Sequence, residues 1–198
     1  MYIKRILIAV LGVMLLAGCA KQPQTMDNPV INNILTRVSV RQFTGEPITQ
    51  AQVDTLLRAA MAAPSAVNKQ PWAFVVVSDK QIIDRIGEEM PNTRCQNNAP
   101  CAIVLCGDLN KALEGEGRDF WVQDVAAATQ NLLLAAHSMG LGAVWTGMYP
   151  THRASVAQEI LDLPENIVPL AIVPVGYPAE QPAVKEKYNE ELIHYNRW

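Results

Sequence analysis

The chain has no run of lysine or arginine that could neutralise a row of phosphates. Its 16 basic side chains are outnumbered by 19 acidic ones, for a formal charge of −3. That balance excludes nucleic acid as a partner. No glycine-rich loop follows a strand and opens a helix, so neither a dinucleotide-binding turn nor a P-loop is supported. Any bound phosphate must therefore be held by side chains. Three histidines and four cysteines are present, at spacings that match neither zinc ligands nor iron–sulfur ligand runs. No metal site is expected. There is no paired-carboxylate motif or Cys/His cluster, and hence no hydrolytic site. Internal repeats and low-complexity segments are absent as well.

The N-terminus carries Lys4 and Arg5, then an apolar run over 6–17 and the ending Leu16-Ala-Gly-Cys19. A spanning helix needs about 20 apolar residues, so this run is short for a permanent span and reads as a secretory signal. The Leu-Ala-Gly-Cys ending resembles a bacterial lipobox. It implies a lipoprotein signal peptide over 1–18, cleavage before Cys19 and lipid on that residue. A polar tether rich in proline then runs through 19–29, and the domain occupies 30–198. The expected location is extracytoplasmic, anchored to a membrane by lipid. Ala20 after the cysteine points to the periplasmic side of the outer membrane in a Gram-negative host.

Apolar residues at helical spacing mark 29–37. Thr49 and Gln52 form a capping box ahead of a helix whose apolar face is Val53, Leu56, Leu57 and Ala60. Strands are predicted over 73–78, 101–106, 143–146 and 170–176, and helices over 80–90, 120–139 and 155–161. The helix over 120–139 is apolar nearly all round, which places it at the centre of the domain or at an interface, and Gly140 and Gly142 end it. Few, irregularly spaced strands alternating with helices give a three-layer α/β or α+β domain. Cys106 ends an apolar run and is a buried thiol. Outside the cytoplasm Cys95 and Cys101 are free to pair. Trp72 and Trp145 read as core aromatics, His137 as a packed, hydrogen-bonded histidine, and His152 and His194 as surface or interface residues.

Two stretches carry chemistry. Arg37-Val-Ser-Val-Arg41 sets two guanidinium groups and a hydroxyl at alternating positions, which share one face of an extended segment. That trio suits a phosphate dianion. Between helix and strand lies Ala62-Ala-Pro-Ser-Ala-Val-Asn-Lys-Gln-Pro-Trp72. Its hydroxyl, carboxamides and ammonium could hydrogen-bond the edge of a flat heterocycle, while the ring covers one face of it.

These stretches resemble the FMN-dependent nitroreductase family. So do the central helix over 124–141, the motif Ala143-Val-Trp-Thr-Gly147, and the tail with Lys185-Glu-Lys-Tyr and Ile193-His-Tyr-Asn-Arg-Trp198. Five segments in order span about residues 30–198. The resemblance implies an α+β, three-layer α/β/α fold with a mixed, mainly antiparallel sheet flanked by helices. It also implies an intertwined homodimer with FMN at the interface. Arg37, Ser39 and Arg41 would hold the phosphate end, with Lys185 and Lys187 adding charge from the C-terminal arm. Pro64, Ser65, Asn68 and Gln70 would approach from the partner subunit. Thr146 and Gly147 would lie beside the ring near flavin N5, since glycine lets backbone come close to a ligand.

The activity implied is a ping-pong electron transfer from a reduced donor to nitroaromatics, quinones or similar flat, electron-poor acceptors. No side chain is assigned as a catalytic acid or base, because the cofactor does the chemistry and the protein orients it. NAD(P)H is the usual donor in the family, but it is a cytoplasmic metabolite. A lipid-anchored chain outside the cytoplasm would need another donor, such as a quinol or a redox protein. Two other readings are an FMN-dependent reductase of halogenated aromatics and a membrane-tethered flavin-binding or scaffold protein without turnover.

Overall fold

The computed structural model describes residues 28–198. The expected leader over 1–18 and the lipidation expected at Cys19 lie outside the described residues. The elements run α1 (Pro29–Thr36), α2 (Gln50–Met61), β1 (Trp72–Val77), α3 (Lys80–Glu89), β2 (Cys101–Asp108), α4 (Phe120–Ser138), β3 (Gly142–Ala143), β4 (Thr146–Gly147), α5 (Arg153–Ile160) and β5 (Ile167–Gly176). Strand order is β1-β2-β5-β3, with β4 also paired to β5, and every described pairing is antiparallel.

The apolar run of β2 is sorted by its period of two. Cys101, Ile103 and Leu105 pack with Leu56 of α2 and with Val125 and Leu132 of α4. Ala102, Val104 and Cys106 pack on the other face with Ile83 and Ile86 of α3 and Ala157 of α5. A strand covered on both faces is apolar at consecutive positions, as 101–106 is. This makes three layers, with α2 and α4 on one side of the sheet and α3 and α5 on the other.

Local signals set the helix ends. Thr49 and Gln52 complete the capping box of α2, and the Asp79 side chain caps α3 by accepting from the Gln81 and Ile82 amides. α4 stops where Gly140 takes φ +72° and the Leu141 N–H donates to the Ala136 carbonyl. Gly142 belongs to β3 rather than to this cap.

The predicted strand over 143–146 is corrected to two short strands. Ala143 pairs with Val175 and Thr146 with Ile172, leaving Val144 and Trp145 without ladder partners opposite Val173 and Pro174. Proline has no N–H to give a neighbouring strand, so the ladder is interrupted there. β5 also begins earlier than the apolar run suggests and carries a register shift against β2 at Leu105/Cys106. All three described cysteines are free and buried, so Cys95 and Cys101 do not pair.

Candidate functional site

Segment 37–41 leaves α1 and crosses the C-terminal end of α4. The Arg37 N–H closes α1 on the Asn33 carbonyl. The Thr36 hydroxyl lies 3.0 Å from His137 Nε2, and Asn33 Nδ2 donates to the Leu134 carbonyl at 3.1 Å. Burial lowers the Arg37 guanidinium below its ordinary value. Burial, then the Arg37 charge, lowers His137. His137 is thus a packed, neutral histidine at pH 7, as its place on the helix suggests.

Three elements then clamp the segment. The Val40 N–H donates to the Ala143 carbonyl, the Arg41 N–H to Glu180 Oε1 at 2.7 Å, and Asn97 Nδ2 to the Arg41 carbonyl at 2.7 Å. The exposed Arg41 guanidinium folds back on the Ser39 carbonyl at 3.3 Å. Val40 fits against β3 only because residue 142 is glycine. A Cβ there would come within 2.6 Å of Val40 Cγ1.

Thr146 and Gly147 form β4, which pairs with β5 as the β3 of that clamp does. The Thr146 hydroxyl donates to the Asn92 carbonyl, so the 91–98 loop touches both Thr146 and Arg41. Gly147 is exposed, and a Cβ built on it would meet nothing within 4 Å. Its carbonyl accepts from Arg153 Nη1 at 3.1 Å.

The 64–70 loop sits at the other end of α4. Val67, Asn68 and Gln70 have φ of +43°, +58° and +50°, a left-handed conformation that costs a β-branched valine most. Ser65 Oγ accepts from the Gln70 N–H at 2.9 Å, and the Gln70 amide donates to Asn68 Oδ1 at 3.1 Å. Asp124 Oδ1 accepts from the Ala66 N–H at 2.8 Å. At 1.5 Å per residue, the Asp124 and His137 levels of α4 are about 20 Å apart. One chain therefore does not bring Pro64, Ser65, Asn68 and Gln70 to Arg37, Ser39 and Arg41.

Lys185 and Lys187 are exposed on the C-terminal arm. No hydrogen bond or ion pair among the described residues joins either to segment 37–41; the Lys187 N–H donates only to Glu186. The arm also exposes Leu192 at 75%, Tyr195 at 82% and Trp198 at 99%, with the Trp198 ring against His194 at a centroid distance of 4.0 Å. His152 is exposed, Trp72 is buried, and Trp145 packs partly buried against the larger core.

Sequence reasoning missed Asn97, Asn92, Glu180, Arg153 and Asp124 as parts of this framework. Only Asp124 had a signal of its own, a carboxylate on the Trp121, Val125 and Ala128 face of a buried helix. Asn97, Asn92 and Glu180 act through pairings remote in sequence, and Arg153 through a bond to a carbonyl six residues back.

A profile of the nitroreductase family matches residues 34–93 and 91–177. A Methanothermobacter thermautotrophicus protein, provisionally named NADH dehydrogenase/NAD(P)H nitroreductase, is 40% identical over 171 residues, 85% of this chain and 87% of its own length. A Parabacteroides distasonis crystal structure carrying the same provisional name is 43% identical, covers 87% of this chain and 100% of its own, and superposes with a TM-score of 0.82. A Desulfovibrio desulfuricans structure, provisionally named a nitroreductase and solved in complex with FMN, is 30% identical with a TM-score of 0.76 over 87% of this chain and 99% of its own. These matches correct the extracytoplasmic, lipid-anchored location expected from the leader. The relatives are named for NAD(P)H, a donor confined to the cytoplasm. Among the described residues no helix is long and apolar enough to cross a membrane. From residue 34 to residue 177 the chain carries the family's sequence on the family's fold, and it belongs to the nitroreductase family.

Proposed function

We propose that the chain is an FMN-dependent oxidoreductase. It takes reducing equivalents from NAD(P)H and passes them to nitroaromatic, quinone or similar flat, electron-poor acceptors in a ping-pong cycle. The catalytic unit is the domain over 30–198, acting as a homodimer. When bound, FMN supplies the hydride and electron chemistry. The residues of this chain bind it, orient it and set the charge around it.

The observation that supports this reading is that the segment carrying Arg37, Ser39 and Arg41 is bonded through the Val40 N–H to β3, in the sheet that also carries the open backbone position at Gly147. Arg37, Ser39 and Arg41 supply two guanidinium groups and a hydroxyl, the donor set that suits a phosphate dianion. Gly147 leaves open the space its Cβ would take, so its backbone and that of Thr146 can approach a ring edge. The two arginines would set positive charge around the phosphate end of the bound cofactor.

Pro64, Ser65, Asn68 and Gln70 complete the site from the second subunit. The separation along α4 supports that division, since one chain holds the two halves at opposite ends of a helix. Exposed apolar surface supports it too. Val30, Ile34 and Leu35 of α1 are 65%, 47% and 50% exposed at helical spacing, a contiguous patch of the kind that marks a protein interface. Lys185 and Lys187 add charge at the phosphate end from the C-terminal arm.

The test is the visible absorption spectrum of the purified full chain, followed by denaturation and identification of the released flavin. Stoichiometric FMN that NAD(P)H bleaches anaerobically and a quinone re-oxidises is the expected result. Colourless protein that cannot be reconstituted with FMN would overturn the reading.

A further inference from the structure

Three polar side chains are buried among the described residues: Thr93, Asp124 and Thr129. Two of them are satisfied locally. The Thr129 hydroxyl donates to the Val125 carbonyl and the Thr93 hydroxyl to the Met90 carbonyl. Asp124 differs. It is 7% exposed, no ion pair among the described residues includes it, and its hydrogen bond goes to a backbone amide remote in sequence, Ala66. A buried carboxylate is costly to keep, and a neutral side chain would fill this helical position more cheaply.

The loop it holds has little else to hold it. Within 64–70 every other described hydrogen bond is internal: Asn68 N–H to the Ser65 carbonyl, Lys69 N–H to the Ala66 carbonyl, Gln70 N–H to Ser65 Oγ and Gln70 to Asn68. A groove of about 370 Å³ opens at this junction, lined by loop residues 64–66 and by Phe120, Gln123, Asp124 and Ala127 of α4. Three of the loop's residues are left-handed, a conformation that persists only where surroundings impose it.

We propose that Asp124 is a positioning residue. By accepting the Ala66 N–H it fixes the left-handed loop, so that Ser65, Asn68 and Gln70 present their polar groups to the flavin of the partner subunit. This rests on the reading above that the loop meets the flavin, and the experiment separates the two.

Amide exchange over 66–70 and FMN affinity by titration would be measured on the full chain as wild type, Asp124→Ala, Asp124→Asn and Ala66→Pro. Asp124→Ala should speed exchange in the FMN-free loop at least tenfold, with β2 amides unchanged, and weaken FMN binding at least tenfold. Asp124→Asn keeps an oxygen acceptor and should restore both. Ala66→Pro deletes the donor at the first position of a helical turn, where proline is tolerated, and should reproduce the alanine variant should that variant fail to fold. Loop exchange unchanged by Asp124→Ala, or altered equally by the asparagine variant, would overturn the proposal. Faster loop exchange with unchanged FMN affinity would keep the tether and overturn the loop's place at the flavin. A wild type that binds no FMN would overturn the proposed function, with exchange still reading the tether.

Discussion

Segment 37–41 and loop 64–70 lie at opposite ends of α4 and are held by different means. The first is extended and clamped through its main chain by β3, the Asn97 loop and Glu180. The second is left-handed and tied to the domain through one carboxylate. The difference teaches a division of labour. Segment 37–41 is bonded to the edge of the sheet, so on the proposed function its arginines would meet the phosphate from fixed backbone. Loop 64–70 is a preset shape on a single tether, and on the same proposal it would meet the ring that another chain holds.

The clamp should be the costlier half to lose. Charge-assisted contacts are worth about 1.5–3 kcal/mol each, so replacing both Arg37 and Arg41 with alanine should weaken FMN binding by roughly 10²- to 10⁴-fold, read by flavin titration. A double variant that purifies fully flavinated would break the comparison at its stronger side.

Backbone approach offers a second test. Gly147→Val adds a side chain where a Cβ meets no protein atom. Thermal stability should stay within about 0.5 kcal/mol of wild type, while FMN binding falls at least about tenfold because the added atoms stand in the ligand's space. The converse holds at Gly142. A methyl group there collides with Val40, and such overpacking costs about 1–3 kcal/mol. Gly142→Ala should lower the unfolding midpoint, and adding Val40→Ala should recover most of the loss.

A smaller effect comes from pH. His137 is depressed below 6.5 in the folded chain by burial and by Arg37, so the unfolded chain takes up its proton first as pH falls. Its contribution to stability is complete above about pH 6.5 and is lost as pH drops through the lower, folded value. Wild type should therefore lose stability between pH 7 and pH 5 more steeply than His137→Gln, measured by denaturant titration. The smallest change expected is at the thiols. Burial pushes Cys95 up to about 11 and Cys101 and Cys106 up to about 12. A thiol reagent at pH 8 should leave all three untouched until the protein unfolds.

What the sequence made legible was local or periodic. The capping box at Thr49 and Gln52 involves neighbours in the chain, and the two-sided burial of 101–106 is written in its unbroken apolar run. The phosphate trio and the polar loop stand out because their residue types suit a ligand. The interruption between β3 and β4 was not legible, because its cause is Pro174 on another strand. The link from the 91–98 loop to Arg41 was not legible either, since it runs through the side chain of Asn97 to a carbonyl far along the chain. Asp124 lay in view on an apolar face but needed Ala66 beside it to explain why a carboxylate belongs there.

The arm has a practical consequence. Trp72 and Trp121 are buried at 8% and 3% exposure, whereas Trp198 at the end of the arm stands 99% exposed. Its indole would dominate collisional quenching and red-shifted emission in a lone chain. Docking of the arm on a second copy would shield it, turning the last residue into a built-in optical gauge of assembly that needs no label, no cofactor and no substrate.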